Sequence, residues 1–136
     1  RALPDEFLKG SETILLVEDE KALLELNERM LLSLGYTVVA TSTPNEAIRL
    51  ATQHQGVIDV LLTDVVMPEM NGRELATELQ RIAPHIRQVF MSGYTANVIA
   101  HHGVLDHGVH FLQKTFSKRD LAAKLHAALA EPPATA

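Results

Sequence analysis

A short apolar run that stops abruptly at acidic and turn-forming residues does most to restrict the folds open to this chain. Val60-Leu61-Leu62 ends at Thr63 and Asp64, and Pro68 and Asn71-Gly72 then indicate turns. A run of this kind is typical of a strand buried on both faces of a parallel sheet. Because open α/β sheets hold their ligands at the carboxyl ends of strands, Asp64 is a candidate site residue. Taken alone, it is equally consistent with an ordinary polar strand end.

A second acidic cluster decides between these interpretations. The apolar run Ile14–Val17 stops at Glu18, Asp19 and Glu20. If the two strands are neighbours in one sheet, Glu18, Asp19 and Asp64 converge. Two like charges about 4 Å apart repel by on the order of 4 kcal/mol at an effective dielectric constant near 20. A bound cation or a raised pKa would relieve this repulsion. A few oxygen ligands with room for water are what Mg²⁺ prefers, so the cluster predicts a divalent-cation site.

Two further strand ends supply the remaining groups. A predicted strand ends at Ser92-Gly93 and contributes a hydroxyl, and another ends at Lys114 and contributes an ammonium. A carboxylate nucleophile, Mg²⁺, a hydroxyl donor and a lysine are the components needed to move a phosphoryl group. Lys114 alone is also consistent with a solvated lysine at a strand end, but the nearby carboxylates favour a phosphate contact.

Periodicity predicts five strands that alternate with helices, and therefore a parallel sheet with right-handed crossovers. The flavodoxin-like strand order 2-1-3-4-5 places the first and third strands side by side, as the acidic site requires, with helices on both faces. The predicted strands are Thr13–Val17, Tyr36–Ala40, Val60–Thr63, Gln88–Met91 and Val109–Gln113. The first predicted helix carries an apolar stripe at Leu23, Leu26, Met30, Leu31 and Leu34. The other four predicted helices extend over Pro44 to His54, Asn71 to Ile82, Thr95 to His102, and Ser117 to Leu129.

Composition limits the domain count and the function classes. A chain of 136 residues that is 46% hydrophobic fits one domain, here a core domain over 13–130. Residues 1–12 are expected to be a linker or an expression remnant, and 131–136 a tail. The net charge of -5 argues against direct nucleic-acid binding, and the absence of cysteine excludes thiolate metal sites. Neither a membrane span nor a signal peptide is expected, which favours a cytoplasmic location.

The four motifs together resemble a known family. Glu18-Asp19, Asp64 with Met67-Pro68 and Asn71-Gly72, Ser92-Gly93, and Lys114 resemble, in order and spacing, the receiver domain of two-component response regulators. The resemblance extends over about residues 11–129. The phrases F-M-S-G-Y-T and G-V-L-D-H-G-V-H-F-L-Q-K are most similar to the carboxyl-terminal receivers of hybrid sensor histidine kinases.

The resemblance implies a function and a role for each site residue. Asp64 would accept a phosphoryl group from the phosphohistidine of a histidine kinase or phosphotransfer domain. Mg²⁺ would be held by Asp19, Asp64 and the backbone carbonyl of Val66, and Glu18 would assist through water. Ser92 would be the switch hydroxyl, Lys114 the phosphoryl contact and Phe111 the switch aromatic. Phosphorylation would then alter a face that binds an output protein.

One departure from the family concerns the residue after the lysine. The family usually has proline there, with a cis bond, whereas this chain has Thr115. A cis bond costs about 2.5–4 kcal/mol before a non-proline residue and about 0.5–1 kcal/mol before proline. We therefore expect a trans Lys114–Thr115 bond, with the lysine still able to reach Asp64.

Two other functions stay open at this stage, and so does the context, because the chain could be a free-standing regulator and not part of a hybrid kinase. The chain could be a docking module that works without phosphorylation, although the intact acidic site opposes this. It could be a metal-dependent phosphatase of similar fold, although Val66 stands where the second aspartate of a D-x-D motif is expected. A zinc site among the seven histidines is less favoured than scattered surface histidines. Enzymatic status is undecided, because a receiver catalyses only its own phosphorylation and dephosphorylation, while a full-length hybrid kinase would be an enzyme. The sequence does not determine an oligomeric state.

Overall fold

A five-stranded parallel sheet organises the chain in the computed structural model, which describes residues 9–95, 98–99 and 109–131. The strand order is β2-β1-β3-β4-β5, and all four strand pairs are parallel. The flavodoxin-like order predicted from the sequence is therefore confirmed. The strands are β1 (Thr13–Val17), β2 (Thr37–Thr41), β3 (Val60–Asp64), β4 (Arg87–Ser92) and β5 (His110–Gln113). The helices are α1 (Lys21–Ser33), α2 (Pro44–Gln53), α3 (Gly72–Ile82) and α4 (Lys118–Ala130).

The strands are buried on both faces, which gives the sheet two separate cores. In β1, Ile14 and Leu16 belong to one core, and Leu15 and Val17 belong to the other. The first core is closed by α1 and α4, and the second by α2 and α3. This arrangement explains why the strands are continuous apolar runs and do not alternate with polar residues.

Local sequence signals fix the starts of three helices. The side chains of Thr43, Asn71 and Ser117 each accept a hydrogen bond from the backbone amide three residues later. Asn71 and Ser117 form complete capping boxes, because the acidic side chains of Glu74 and Asp120 bond back to the cap amides. These are the helix starts that the sequence predicted.

The first helix buries a different face from the one predicted. Leu26 was expected on the buried stripe of α1 but is exposed, and Asn27 takes the buried position. The buried face follows Asn27, Leu31 and Leu34, at the spacing of successive helical turns, so Leu26 is rotated away from the sheet. Of the helix predicted over Thr95 to His102, the structure describes Thr95, Val98 and Ile99, and Val98 and Ile99 are helical. The other positions of this helix lie outside the described residues.

Both ends of the described chain contact the domain. The Gly10 amide donates to the Leu34 carbonyl at 2.9 Å, and the His126 ring bonds the Lys9 carbonyl at 3.1 Å. At the other end, the Arg87 guanidinium donates twice to the Glu131 carbonyl. None of the helices in the described part of the chain has the length and apolar content to cross a membrane.

Candidate functional site: an acidic cluster with a lysine

The pairing of β1 with β3 brings the predicted acidic residues together. Val17 is in register with Thr63, so Glu18 and Asp19 follow one strand where Asp64 ends its neighbour. One carboxylate oxygen from each of Glu18, Asp19 and Asp64 lies within 4.8 Å of the others. Glu18 and Asp64 are buried, and Asp19 is exposed. The cluster therefore consists of two buried carboxylates and one carboxylate that is open to solvent.

Lys114 reaches this cluster from the end of β5. Its ammonium forms an ion pair with Glu18 Oε1 and lies 3.0 Å from Asp64 Oδ2. The Lys114 side chain is 14% exposed, and that of Glu18 is fully buried. One ammonium thus neutralises part of the charge on two buried carboxylates, which are separated from it by 96 and 50 positions in the chain.

The protonation equilibria reflect this burial. Desolvation raises the pKa of Glu18 from 4.5 to about 7, although the hydrogen bonds from Lys114 and from the Glu20 amide oppose the rise. Burial acts on Lys114 in the opposite sense and lowers its pKa. Its hydrogen bonds to Glu18 and Asp64, together with their charges, outweigh that effect and leave the pKa of Lys114 raised. The lysine is therefore charged throughout the neutral range.

The loop after Asp64 packs against the start of α3. The Val65 amide donates to the Met91 carbonyl, and the Gly72 amide donates to the Val65 carbonyl. A Cβ added at Gly72 would lie 2.4 Å from the Asp64 carbonyl oxygen. Glycine is therefore required for α3 to begin this close to the aspartate. Val66 lies in this loop with an exposed side chain.

Ser92 and Phe111 lie on the next two strands. Ser92 ends β4, beside β3, and is buried. Its Oγ accepts a hydrogen bond from the Tyr94 amide at 3.1 Å, which leaves the hydroxyl proton available for donation. Phe111 is half-buried in β5 and packs against the core closed by α2 and α3.

The expected trans bond between Lys114 and Thr115 is wrong, because the structure has a cis peptide there. Contacts on both sides determine the path of this loop. The Lys114 amide donates to the Ser92 carbonyl at 2.8 Å, and Ser117 caps α4 three residues later. These fixed points, with the ammonium held in the acidic cluster, outweigh the local preference for a trans bond.

The donor set fits a hard divalent cation. When all three carboxylates are ionised, the single ammonium leaves two negative charges uncompensated. Both Glu18 oxygens already accept hydrogen bonds, Oε1 from Lys114 and Oε2 from the Glu20 amide at 3.1 Å. Asp19 and Asp64 are consequently the better direct ligands, and Asp19 leaves room for the waters that Mg²⁺ retains.

Sequence reasoning did not anticipate the direct ion pair between Glu18 and Lys114. It assigned Glu18 to the metal and Lys114 to the phosphoryl group, with no contact between them. The available signal was the position of both residues at carboxyl ends of strands in one sheet. That position implies proximity, but it does not specify which carboxylate the lysine contacts.

Comparisons with known proteins agree with this geometry. The family model for the response regulator receiver domain matches residues 14–126. The chain is 42% identical over 115 residues to the sensor kinase CckA of Brucella abortus, an alignment that covers 85% of this chain and 12% of CckA. It is 31% identical over 127 residues to the DNA-binding transcriptional regulator NtrC of Azospirillum brasilense, covering 92% and 26% of the two chains. The chain thus spans about an eighth to a quarter of these relatives' lengths.

Solved structures agree as well. The receiver domain of the hybrid histidine kinase CckA superposes with a TM-score of 0.73 at 32% identity, covering 86% of this chain and 98% of that one. A response regulator receiver domain protein from Clostridium thermocellum gives a TM-score of 0.77 at 26% identity, covering 88% and 94%. The expected similarity to the receiver of a hybrid histidine kinase is confirmed. The chain belongs to the response regulator receiver domain family of two-component systems.

Proposed function

We propose that Asp64 is the phosphoryl acceptor of this receiver domain. The observation that supports the proposal most is the contact of one part-buried lysine with both Glu18 and Asp64, beside the exposed carboxylate of Asp19. In the reaction, the bond between phosphorus and an imidazole nitrogen of the donor breaks, and a bond from phosphorus to an Asp64 carboxylate oxygen forms. The imidazole nitrogen keeps the electron pair of the broken bond.

We propose a role for each neighbour of Asp64. Lys114 pairs with the incoming phosphoryl oxygens, and its raised pKa keeps the ammonium charged. Ser92 donates its free hydroxyl proton to a phosphoryl oxygen. Asp19, Asp64 and the Val66 carbonyl would hold Mg²⁺, with Glu18 assisting through water. When bound, the ion would supply positive charge that offsets the repulsion between the phosphoryl group and the carboxylates.

Phosphorylation changes the charge balance around Lys114. An aspartyl phosphate brings a charge of about -1.5 to -2, which competes with Glu18 for the ammonium. We propose that Ser92 and Lys114 move toward the phosphoryl group and that the packing of Phe111 changes with them. The surface that includes β5 and α4 would then bind its output partner differently.

The acceptor assignment is tested with phosphoramidate as donor in the presence of Mg²⁺. Intact-mass measurement should detect one added phosphoryl group on the wild-type chain and none on Asp64→Asn. Asp59→Asn is the matched control, because Asp59 precedes the same strand at its opposite end, where it accepts from the Thr13 amide. The control should label as the wild type does. Full labelling of Asp64→Asn would refute the assignment.

The phosphoryl donor, and the kind of protein that contains this domain, are proposed from the family relationship. We propose a histidine kinase or phosphotransfer domain as donor, and a receiver of a hybrid histidine kinase as the setting. The support is the 42% identity to a sensor kinase. A cytoplasmic location rests on the same family relationship. A reading frame upstream of Arg1 that encodes no kinase core would contradict the hybrid setting.

A further inference from the structure

The buried face of α1 carries a polar residue where the sequence offers an apolar one. Asn27 is 4% exposed, whereas the neighbouring Leu26 is 49% exposed. Because a helical turn takes about 3.6 residues, a rotation of α1 by about 100° would exchange the two positions. Burial of apolar surface favours the rotated helix, since a leucine side chain gains far more than an asparagine side chain by leaving water. The observed orientation of α1 therefore needs a contact that outweighs this preference.

Asn27 makes such a contact with Met91 of β4. Its side-chain amide donates to the Met91 sulfur at 3.7 Å, and Met91 is fully buried. A thioether sulfur is a weak acceptor, so this hydrogen bond offsets little of the cost of burying the amide. Unlike apolar packing, however, the contact is directional, and a buried polar contact can specify one arrangement of a core even where it lowers stability. A buried amide with such a weak partner indicates a role other than stability.

Both partners are connected to the acidic site. The helix α1 begins directly after the residues that carry Asp19 and its neighbours. On β4, Met91 is in register with Asp64 and precedes Ser92. The Met91 carbonyl also accepts a hydrogen bond, at 3.0 Å, from the first amide after Asp64. The contact thus joins the helix that follows Asp19 to the strand that supports Asp64.

We propose that Asn27 is a positioning residue for the phosphorylation of Asp64. Through the Met91 sulfur it fixes the rotation of α1 about its axis, and thereby the position of the Asp19 carboxylate relative to Asp64. The inference rests on the proposed function, in which these two carboxylates bind Mg²⁺ and Asp64 accepts the phosphoryl group. Asn27 is itself buried and acts on the site through this contact.

Replacement of Asn27 by leucine separates stability from positioning. Asn27→Leu keeps the branching of the side chain and removes the amide, so its urea unfolding midpoint in a chelator should be higher than that of the wild type. Calorimetric titration should nevertheless show a weaker Mg²⁺ affinity. Residues that orient metal ligands typically change affinity by roughly 10–100-fold, and because Asn27 acts one step further away, we expect Kd to rise about fivefold. Labelling of Asp64 by phosphoramidate at subsaturating Mg²⁺ should slow by a similar factor.

A double-mutant cycle with Met91→Leu tests whether the sulfur transmits the effect. Met91→Leu alone removes the acceptor, so it should raise the Mg²⁺ Kd by a similar factor, and it should lower the urea midpoint because the Asn27 amide loses its partner. The double variant should bind Mg²⁺ as weakly as either single variant, since all three lack the same contact.

Leu31→Met is the matched control for a general change in core packing. Leu31 is fully buried on the same face of α1, one turn beyond Asn27. Its replacement alters the packing of the core without removing the contact between Asn27 and Met91. It should therefore lower the urea midpoint and leave the Mg²⁺ Kd unchanged.

The outcomes distinguish this inference from the proposed function. An unchanged Mg²⁺ Kd in Asn27→Leu, additive losses in the double variant, or an equal loss in Leu31→Met would overturn the positioning role, while labelling of Asp64 in the wild type still stands. If Asn27→Leu does not fold, Met91→Leu carries the test, and an unchanged Kd there would overturn the inference. Failure of the wild-type chain to label with phosphoramidate would refute the proposed function itself.

Discussion

Replacing Lys114 by methionine tests the electrostatics of the site most severely. Methionine keeps much of the length of the side chain but removes the charge that Glu18 and Asp64 share. Removing one partner of a buried ion pair costs about 3–5 kcal/mol, because the other charge is left uncompensated. The side chains of Lys114, Glu18 and Asp64 are 14%, 0% and 9% exposed. Because water reaches Lys114 and Asp64 in part, we expect a cost at the lower end of this range. We expect a loss of about 3 kcal/mol in unfolding free energy at about pH 8 without Mg²⁺.

The loss should shrink as the pH falls. Glu18 has a pKa of about 7 in the folded chain and 4.5 as the reference, so the folded state holds its proton over that interval. The stability that Glu18 contributes is therefore complete below about pH 4.5 and is lost as the pH rises through about 7. Without Lys114 the hydrogen bond that lowers this pKa is gone, so the variant retains the proton more strongly. At about pH 5.5 a neutral Glu18 leaves less uncompensated charge, and the loss should be about half as large.

Urea unfolding in the presence of a chelator, followed by circular dichroism, measures the loss in unfolding free energy at each of the two pH values. Lys118→Met is the control, because Lys118 is exposed in the first turn of α4 and its removal should change the unfolding free energy by less than about 0.5 kcal/mol. Excess Mg²⁺ should restore part of the stability of the Lys114 variant. Equal losses at the two pH values, or a loss no larger than that of the control, would refute the reasoning.

Three further substitutions test local packing by the same unfolding measurement. Gly10→Ala should cost about 1–3 kcal/mol, because a Cβ there would lie 2.2 Å from the Tyr36 ring; an unchanged midpoint would contradict that close approach. Tyr36→Phe should be neutral or stabilising by up to about 1 kcal/mol, because the buried Tyr36 hydroxyl has no hydrogen-bond partner in the described part of the chain; a clear loss would point to an additional partner. Glu69→Gly should stabilise by about 0.5 kcal/mol, because Glu69 has a φ of 74°; destabilisation would mean that its 3.5 Å contact with Asn45 matters more.

The fold was predictable because its signals are local. The apolar run Ile14–Val17, the caps Thr43, Asn71 and Ser117, and the acidic strand ends each depend on a few adjacent residues. Parallel topology and right-handed crossovers then leave few ways to bring Asp19 and Asp64 together. The assignment of the two strands to neighbouring positions followed from the chemistry of their ends.

The features that sequence reasoning missed depend on distant contacts. Asn27 faces the core, where its amide lies 3.7 Å from the Met91 sulfur, and nothing in the helical pattern favours it over Leu26. The cis bond after Lys114 is set by partners on β4 and in the acidic cluster, far away in sequence. The ion pair between Glu18 and Lys114 joins residues 96 positions apart. Local propensity carries no information about such contacts, so it gave the wrong bond conformation and omitted the ion pair.

The most direct test of the account is to locate the phosphoryl group chemically. Borohydride reduces an aspartyl phosphate to homoserine, which leaves a stable mark at the acceptor. After phosphorylation with phosphoramidate and Mg²⁺, proteolysis and mass spectrometry should find homoserine at position 64 alone. The mark should be absent when the metal is chelated. Reduction at Asp19 or Asp59, or a mark at position 64 that does not depend on the metal, would contradict the central claim that Asp64 is the acceptor of a Mg²⁺-dependent site.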